Sequence, residues 1–90
     1  MASTTVQTIA EQVAANGIRA KALIALSDTA LRVHTKAGRT VKNMDITYDS
    51  RLDLYDVKIH IFSGTAENLR RKEYTRVYAD MLGQLFELAK

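Results

Sequence analysis

Apolar and polar residues alternate with a period of two along three central stretches of the chain. Leu31, Val33 and Thr35 alternate with Arg32, His34 and Lys36, and Met44, Ile46 and Tyr48 with Asn43, Asp45 and Thr47. Tyr55, Val57, Ile59 and Ile61 alternate with Asp56, Lys58, His60 and Phe62. That period sends successive side chains to opposite faces and predicts three strands with one face buried. Lys36-Ala37-Gly38-Arg39 and Asp49-Ser50-Arg51-Leu52 carry the turn-forming residues between them.

The flanks follow other rhythms. Val6, Ile9 and Val13 fall at helical spacing behind Ser3, Thr4 or Thr5 as cap. Asn16-Gly17 ends that helix, because glycine takes the left-handed C′ conformation without penalty. Residues 18–26, IRAKALIAL, have helical propensity. Arg19 and Lys21 nevertheless alternate with Ala20, Ala22 and Ile24 ahead of a turn at Ser27-Asp28-Thr29, so a first strand is read there. Tyr74, Val77, Tyr78, Met81, Leu82, Leu85 and Leu88 share an arc of roughly 140° at about 100° per residue. They predict a long C-terminal helix from Thr65 to Ala89, capped by Ser63-Gly64-Thr65, with Glu67 in its first turn. The expected fold is α+β in one domain, residues 1–90. It is an antiparallel β-meander of three to four strands, with the N-terminal and the long C-terminal helix packed on one face (α-β-β-β-β-α).

Register follows from requiring the apolar sets to share a face. Loops at 27–30, 37–40 and 49–52 place Ile24, Val33, Met44 and Val57 in one inward row, and Leu26, Leu31, Ile46 and Tyr55 in the next. The outward rows are then Ala25, Arg32, Asp45, Asp56; Leu23, His34, Asn43, Lys58; and Lys21, Lys36, Val41, His60. Asp45 faces Asp56 in this register, a like-charge pair that Arg32 on the other flank must compensate. Asp28, Asp45, Asp49, Asp53 and Asp56 gather toward one end of the sheet, and Arg19, Lys21, Lys36, Arg39 and His60 toward the other. The start of the second helix brings Arg70, Arg71 and Lys72 to that basic end.

Composition narrows the chemistry. With 90 residues there is room for one small core. The absence of cysteine excludes disulfides, thiol catalysis and zinc–thiolate sites. No apolar run has the length of a membrane span, and MASTTVQTIAEQ lacks the basic start of a signal peptide. Cytoplasmic residence is the expectation. No GxGxxG, GxxxxGK[ST] or Ser-His-Asp arrangement occurs. His34 and His60 fall on non-adjacent strands without a third ligand, and Asp45/Asp56 on a flat face lack the cleft that acid–base or magnesium chemistry needs. No catalytic residue, metal or cofactor is therefore expected.

Two stretches carry likenesses to nucleic-acid-binding folds. Thr8–Leu23, TIAEQVAANGIRAKAL, superficially resembles a helix-turn-helix core through its A-E-x-x-A run and the Gly-Ile at the turn. The element order is similar to that of double-stranded RNA-binding domains, with SGTAENLRRKEY where their basic helix begins and without their Gly-Pro-x-His loop.

Macromolecular binding is what remains. Arg19, Lys21, Lys36, Arg39, Arg70, Arg71 and Lys72 form a basic end suited to phosphates. Leu23 and Phe62, with Val41 and Leu52, form an outward apolar set suited to another protein or to a homodimer. Tyr48, Tyr55, Tyr74 and Tyr78 all read as inward, leaving little aromatic surface on which bases could stack. That balance favours a non-enzymatic protein-binding module, an adaptor or inhibitor of the kind frequent among phage and mobile-element accessory proteins. Such a module occludes a partner's surface, for example in a nucleic-acid-binding complex. Backbone-type nucleic-acid binding through the basic end is the alternative.

Overall fold

The computed structural model describes residues 4–63 and 69–88. In chain order they form α1 (Thr4–Ala15), β1 (Ala22–Ser27), β2 (Ala30–Ala37), β3 (Thr40–Asp49), β4 (Leu54–Ser63) and β5 (Leu69–Val77). A 3-10 turn at Ala79–Met81 then leads into α2 (Leu82–Leu88). The strands make one five-stranded antiparallel sheet in the order β1-β2-β3-β4-β5. The architecture is α+β, with a meander one strand longer than expected and a much shorter C-terminal helix.

Helix α1 buries Val6, Ile9 and Val13, the stripe that its spacing implies. Its end is a Schellman motif: the Gly17 N–H donates to the Ala14 carbonyl at 3.0 Å and the Ile18 N–H to that of Val13 at 3.2 Å. Gly17 has φ 77°, which costs glycine nothing. Ile18, 7% exposed, continues the apolar contact that accompanies this motif. The Asn16 side chain then ties the two helices together. Its Nδ2 donates to the carbonyls of Gln12 (2.7 Å) and Ala79 (3.0 Å), and its Oδ1 accepts from the Gly83 N–H at 3.1 Å. Both helices thereby close over one sheet face, where Ile9, Val13, Leu82 and Leu85 pack with Leu31, Val33, Met44, Ile46, Val57, Ile59 and Ile61.

The β2–β3 register is as the shared-face argument requires, with Val33 opposite Met44 and Arg32 opposite Asp45. The turn is two residues, Gly38-Arg39, with Gly38 at φ 61°. At β3–β4 the pairing shifts by two positions: Met44 faces Ile59 instead of Val57, and Asp45 faces Lys58 instead of Asp56. The loop is 50–53, not 49–52, and a shift of two preserves every inward face while replacing a repulsive pair by an attractive one. Double-mutant cycles in urea check this. We expect Asp45 and Lys58 to couple favourably by about 0.2–1 kcal/mol, and Asp45 and Asp56 to show no coupling.

At β1–β2 the expected pairing survives only at the turn, where Ser27 faces Ala30. An irregularity between Ala25 and Ser27 absorbs one residue, so Leu23, not Ile24, shares a row with Val33. The faces of β1 are thus reversed: Leu23 lies on the helix side and Ile24 on the open side beside Arg32.

The largest correction concerns the C-terminal third. The long helix over 65–89 does not form; residues 69–77 are a strand. Tyr74 stands opposite Val57, and Val77 opposite Tyr55, with a register shift between these pairs. Arg76 takes φ 55° there. The three-residue step from Tyr74 to Val77, read as a helical turn, is thus a strand step of two plus one bulge residue. Tyr78 and Met81, expected inside, are 60% and 36% exposed. The expected cap residues Gly64 and Thr65, and Glu67, lie outside the described residues.

Candidate binding surfaces

The sheet has two edge strands, β1 and β5, of opposite chemistry. On β5, Arg70, Arg71, Lys72, Glu73 and Arg76 are all exposed. Arg70 and Lys72 stand opposite the buried Ile61 and Ile59, so they project from the helix-covered side of the sheet. Inward-pointing charge is a standard means of stopping a foreign strand from pairing at an edge. The Arg70-Arg71-Lys72 run, expected to open a helix, lies instead on this exposed edge strand.

Strand β1, ALIALS, carries no charge, and all six of its residues are exposed. Leu23 and Ile24 are each 48% exposed and Leu26 44%, on both faces of the strand. Helix α1 rests on β2 and leaves β1 uncovered.

The open face of the sheet is a set of complementary rows. Arg32 Nε and Nη2 donate to the two Asp45 carboxylate oxygens at 2.8 and 3.0 Å. That bidentate bond, and the charge of Asp45, raise the guanidinium above its ordinary pKa. Lys58 and Glu73 extend the row by register. His34 Nδ1 lies 2.7 Å from Asn43 Oδ1, and His60 and Arg71 continue that row. The two histidines therefore flank Asn43, and among the described residues no three His, Asp or Glu side chains gather as a metal would require. Of the expected outward apolar set, Val41 and Phe62 meet across β3 and β4, with Phe62 37% exposed. Leu23 lies on the other face, and Leu52, 50% exposed, stands in the loop at the far end.

Of the seven expected cations, the fold brings four to one corner. Arg19 and Lys36 line a cleft of about 370 Å³ with Gly17, Thr35, Thr40, Lys42 and Phe86. Lys21 adjoins it, its N–H donating to the His34 carbonyl at 2.7 Å, and Arg39 occupies the β2–β3 turn. Arg70, Arg71 and Lys72 stay apart on β5, three strand spacings or about 14 Å from β2. Lys42 was missed in the sequence. It sits in an inward position of β3, and its Nζ donates to the Phe86 carbonyl at 2.8 Å while lying 4.1 Å from the ring centroid. A cation at the carbonyl end of α2 satisfies an orphan acceptor there. A lysine in an inward slot of a period-two segment was the available signal.

A second cleft, about 290 Å³, opens at the opposite end between Thr4, Thr5, Thr8, Gln12, Tyr48, Asp53 and Tyr55. The Tyr48 hydroxyl donates to Asp53 Oδ1 and the Tyr55 hydroxyl to Gln12 Oε1, each at 2.5 Å. The rings are tilted by 59° with centroids 5.7 Å apart. The bond to Asp53 pushes the Tyr48 pKa up, and burial does the same for Tyr55. Both phenols then ionise above the ordinary value of about 10. The folded state keeps protons that the unfolded chain releases, so this stabilisation is intact below about pH 10 and falls as pH rises through the folded-state values. Thermal melts across that range should show the fall, and Tyr48→Phe should flatten it.

Compared with protein-family models, with curated proteins and with solved structures, the chain matches none.

Proposed function

We propose that this chain is a non-enzymatic protein-binding module, an adaptor or inhibitor acting in the cytoplasm, that docks through β1 by strand addition. The observation that carries this reading is the contrast between the two edges of one sheet. β5 is blunted by charge, whereas β1 offers an uncharged six-residue strand with three half-exposed aliphatics. An apolar edge of that kind templates pairing with another strand. Main-chain hydrogen bonds would supply affinity, and Leu23 and Ile24, on opposite faces, would supply selectivity. The open face supports the reading less, because Arg32 pairs with Asp45 there and Arg71 with Glu73. A second copy or an extended segment of a different protein fits the same edge. The absence of cysteine agrees with a reducing compartment, and no described helix is long and apolar enough to cross a membrane.

The test is a pair of variants, Ile24→Lys and Leu26→Lys. Both side chains are already half in water, so unfolding free energy should change by no more than about 0.5 kcal/mol. Association, read as self-association by sedimentation and as capture of the native partner, should weaken at least about tenfold, equal to about 1.4 kcal/mol. Unchanged association in both measurements would remove β1 as the docking edge.

A further inference from the structure

We infer that the cleft at the basic corner is a binding site for nucleic-acid phosphates, separate from the docking edge. Arg19, Lys36 and Lys42 line it together with the hydroxyl-bearing Thr35 and Thr40, and no acidic side chain is among the described residues that do. Arg19 and Lys36 are exposed, whereas Lys42 is half-buried. Among the described residues neither forms an ion pair, while Lys42 is anchored by Phe86. One charge is thus held in place at the cleft wall and two more can close on a ligand. A concave surface lined by a single sign of charge concentrates its field and draws counter-ions of the opposite sign. Its volume of about 370 Å³ falls within the range of ligand sites.

The ligand is a run of phosphodiesters. Lys21, two residues on from Arg19, and Arg39, next to Thr40 in the β2–β3 turn, are close in the chain to residues that line the cleft, so five cations belong to this corner. A single phosphate monoester carries a charge near −2 and engages only part of that set. Successive backbone phosphates, with one charge each, match it. Base recognition is absent from the arrangement: the one aromatic ring in the cleft, Phe86, is already stacked by Lys42. Binding is therefore to the backbone and independent of sequence.

The experiment titrates the protein with three probes, inorganic phosphate, a nucleoside triphosphate and a random 20-base-pair duplex, following amide shifts and affinity against salt. The duplex should shift the Gly17, Thr35, Lys36 and Thr40 amides, with a log–log salt slope of about −3 to −4. Arg19→Gln combined with Lys36→Gln should flatten the slope by about two units and weaken binding about 30-fold at physiological salt. Both residues are exposed or line an open cleft, so the variant should stay folded. Arg51→Gln combined with Lys58→Gln removes the same charge elsewhere and should leave the cleft shifts in place. The inference is overturned by duplex binding that leaves the cleft amides unmoved, or by a triphosphate that binds as tightly as the duplex. Equal losses in the two double variants would overturn it as well, since net charge alone would then explain the binding.

Discussion

Ile59→Asp leaves no cooperative unfolding transition. Ile59 is fully buried on β4, which has neighbours on both sides, and Met44, Val57 and Ile61 around it are 0–1% exposed. Removing the side chain forfeits about 1.5–3 kcal/mol of burial. The carboxylate then enters a core without a buried polar or charged partner among the described residues, which costs several kcal/mol more. The sum reaches the whole stability of about 5–15 kcal/mol typical of a domain. Circular dichroism in urea should show no sigmoidal transition. A normal one would mean that the inward face of β4 is misassigned. Leu85→Asp, at a 7% exposed position on a seven-residue helix, should act less severely, releasing α2 before the sheet.

Gly83→Ala is expected to destabilise by about 2–4 kcal/mol, against the usual rule for glycine in a helix. Propensity favours alanine there by about 1 kcal/mol. The space does not: an added Cβ lies 2.8 Å from the Asn16 backbone carbonyl oxygen. That oxygen sits in the capped end of α1, so it cannot turn aside as a long side chain would. Forcing the helices apart carries the cost of overpacking, about 1–3 kcal/mol, and loses the Gly83 N–H bond to Asn16 Oδ1. Asn16→Ala, which removes the same tie without a clash, should cost about 1–3 kcal/mol. A Gly83→Ala protein as stable as the parent would show that the helices are not pinned at this junction.

How much of this was legible follows from which signals are local. The β2–β3 hairpin was readable residue for residue, since Gly38 marks the turn and both strands alternate strictly. The end of α1 was readable for the same reason: Asn16-Gly17 determines its own geometry. Bulges were not. One between Ala25 and Ser27 reversed the faces of β1, and one near Arg76 made a strand imitate a helical step. A bulge leaves no periodic trace, because it is a single residue out of phase. The exposed apolar edge was hidden with it: Leu23 and Phe62 were grouped on one face, whereas the exposed apolar strand is β1 itself. The basic corner was partly visible, through Arg19, Lys21, Lys36 and Arg39. The division from Arg70, Arg71 and Lys72 depended on β5, and Lys42 on knowing that its position faces α2.

A photo-crosslinking residue placed at Ile24, with a second at Lys58 in the middle of the open face as control, tests the docking edge most directly. In cells that produce this protein natively, the Ile24 probe should yield discrete adducts, with a second copy or another protein, that disappear when Leu26→Lys is added. Adducts that form equally at Lys58, or that persist in the Leu26→Lys background, would contradict a docking site on β1.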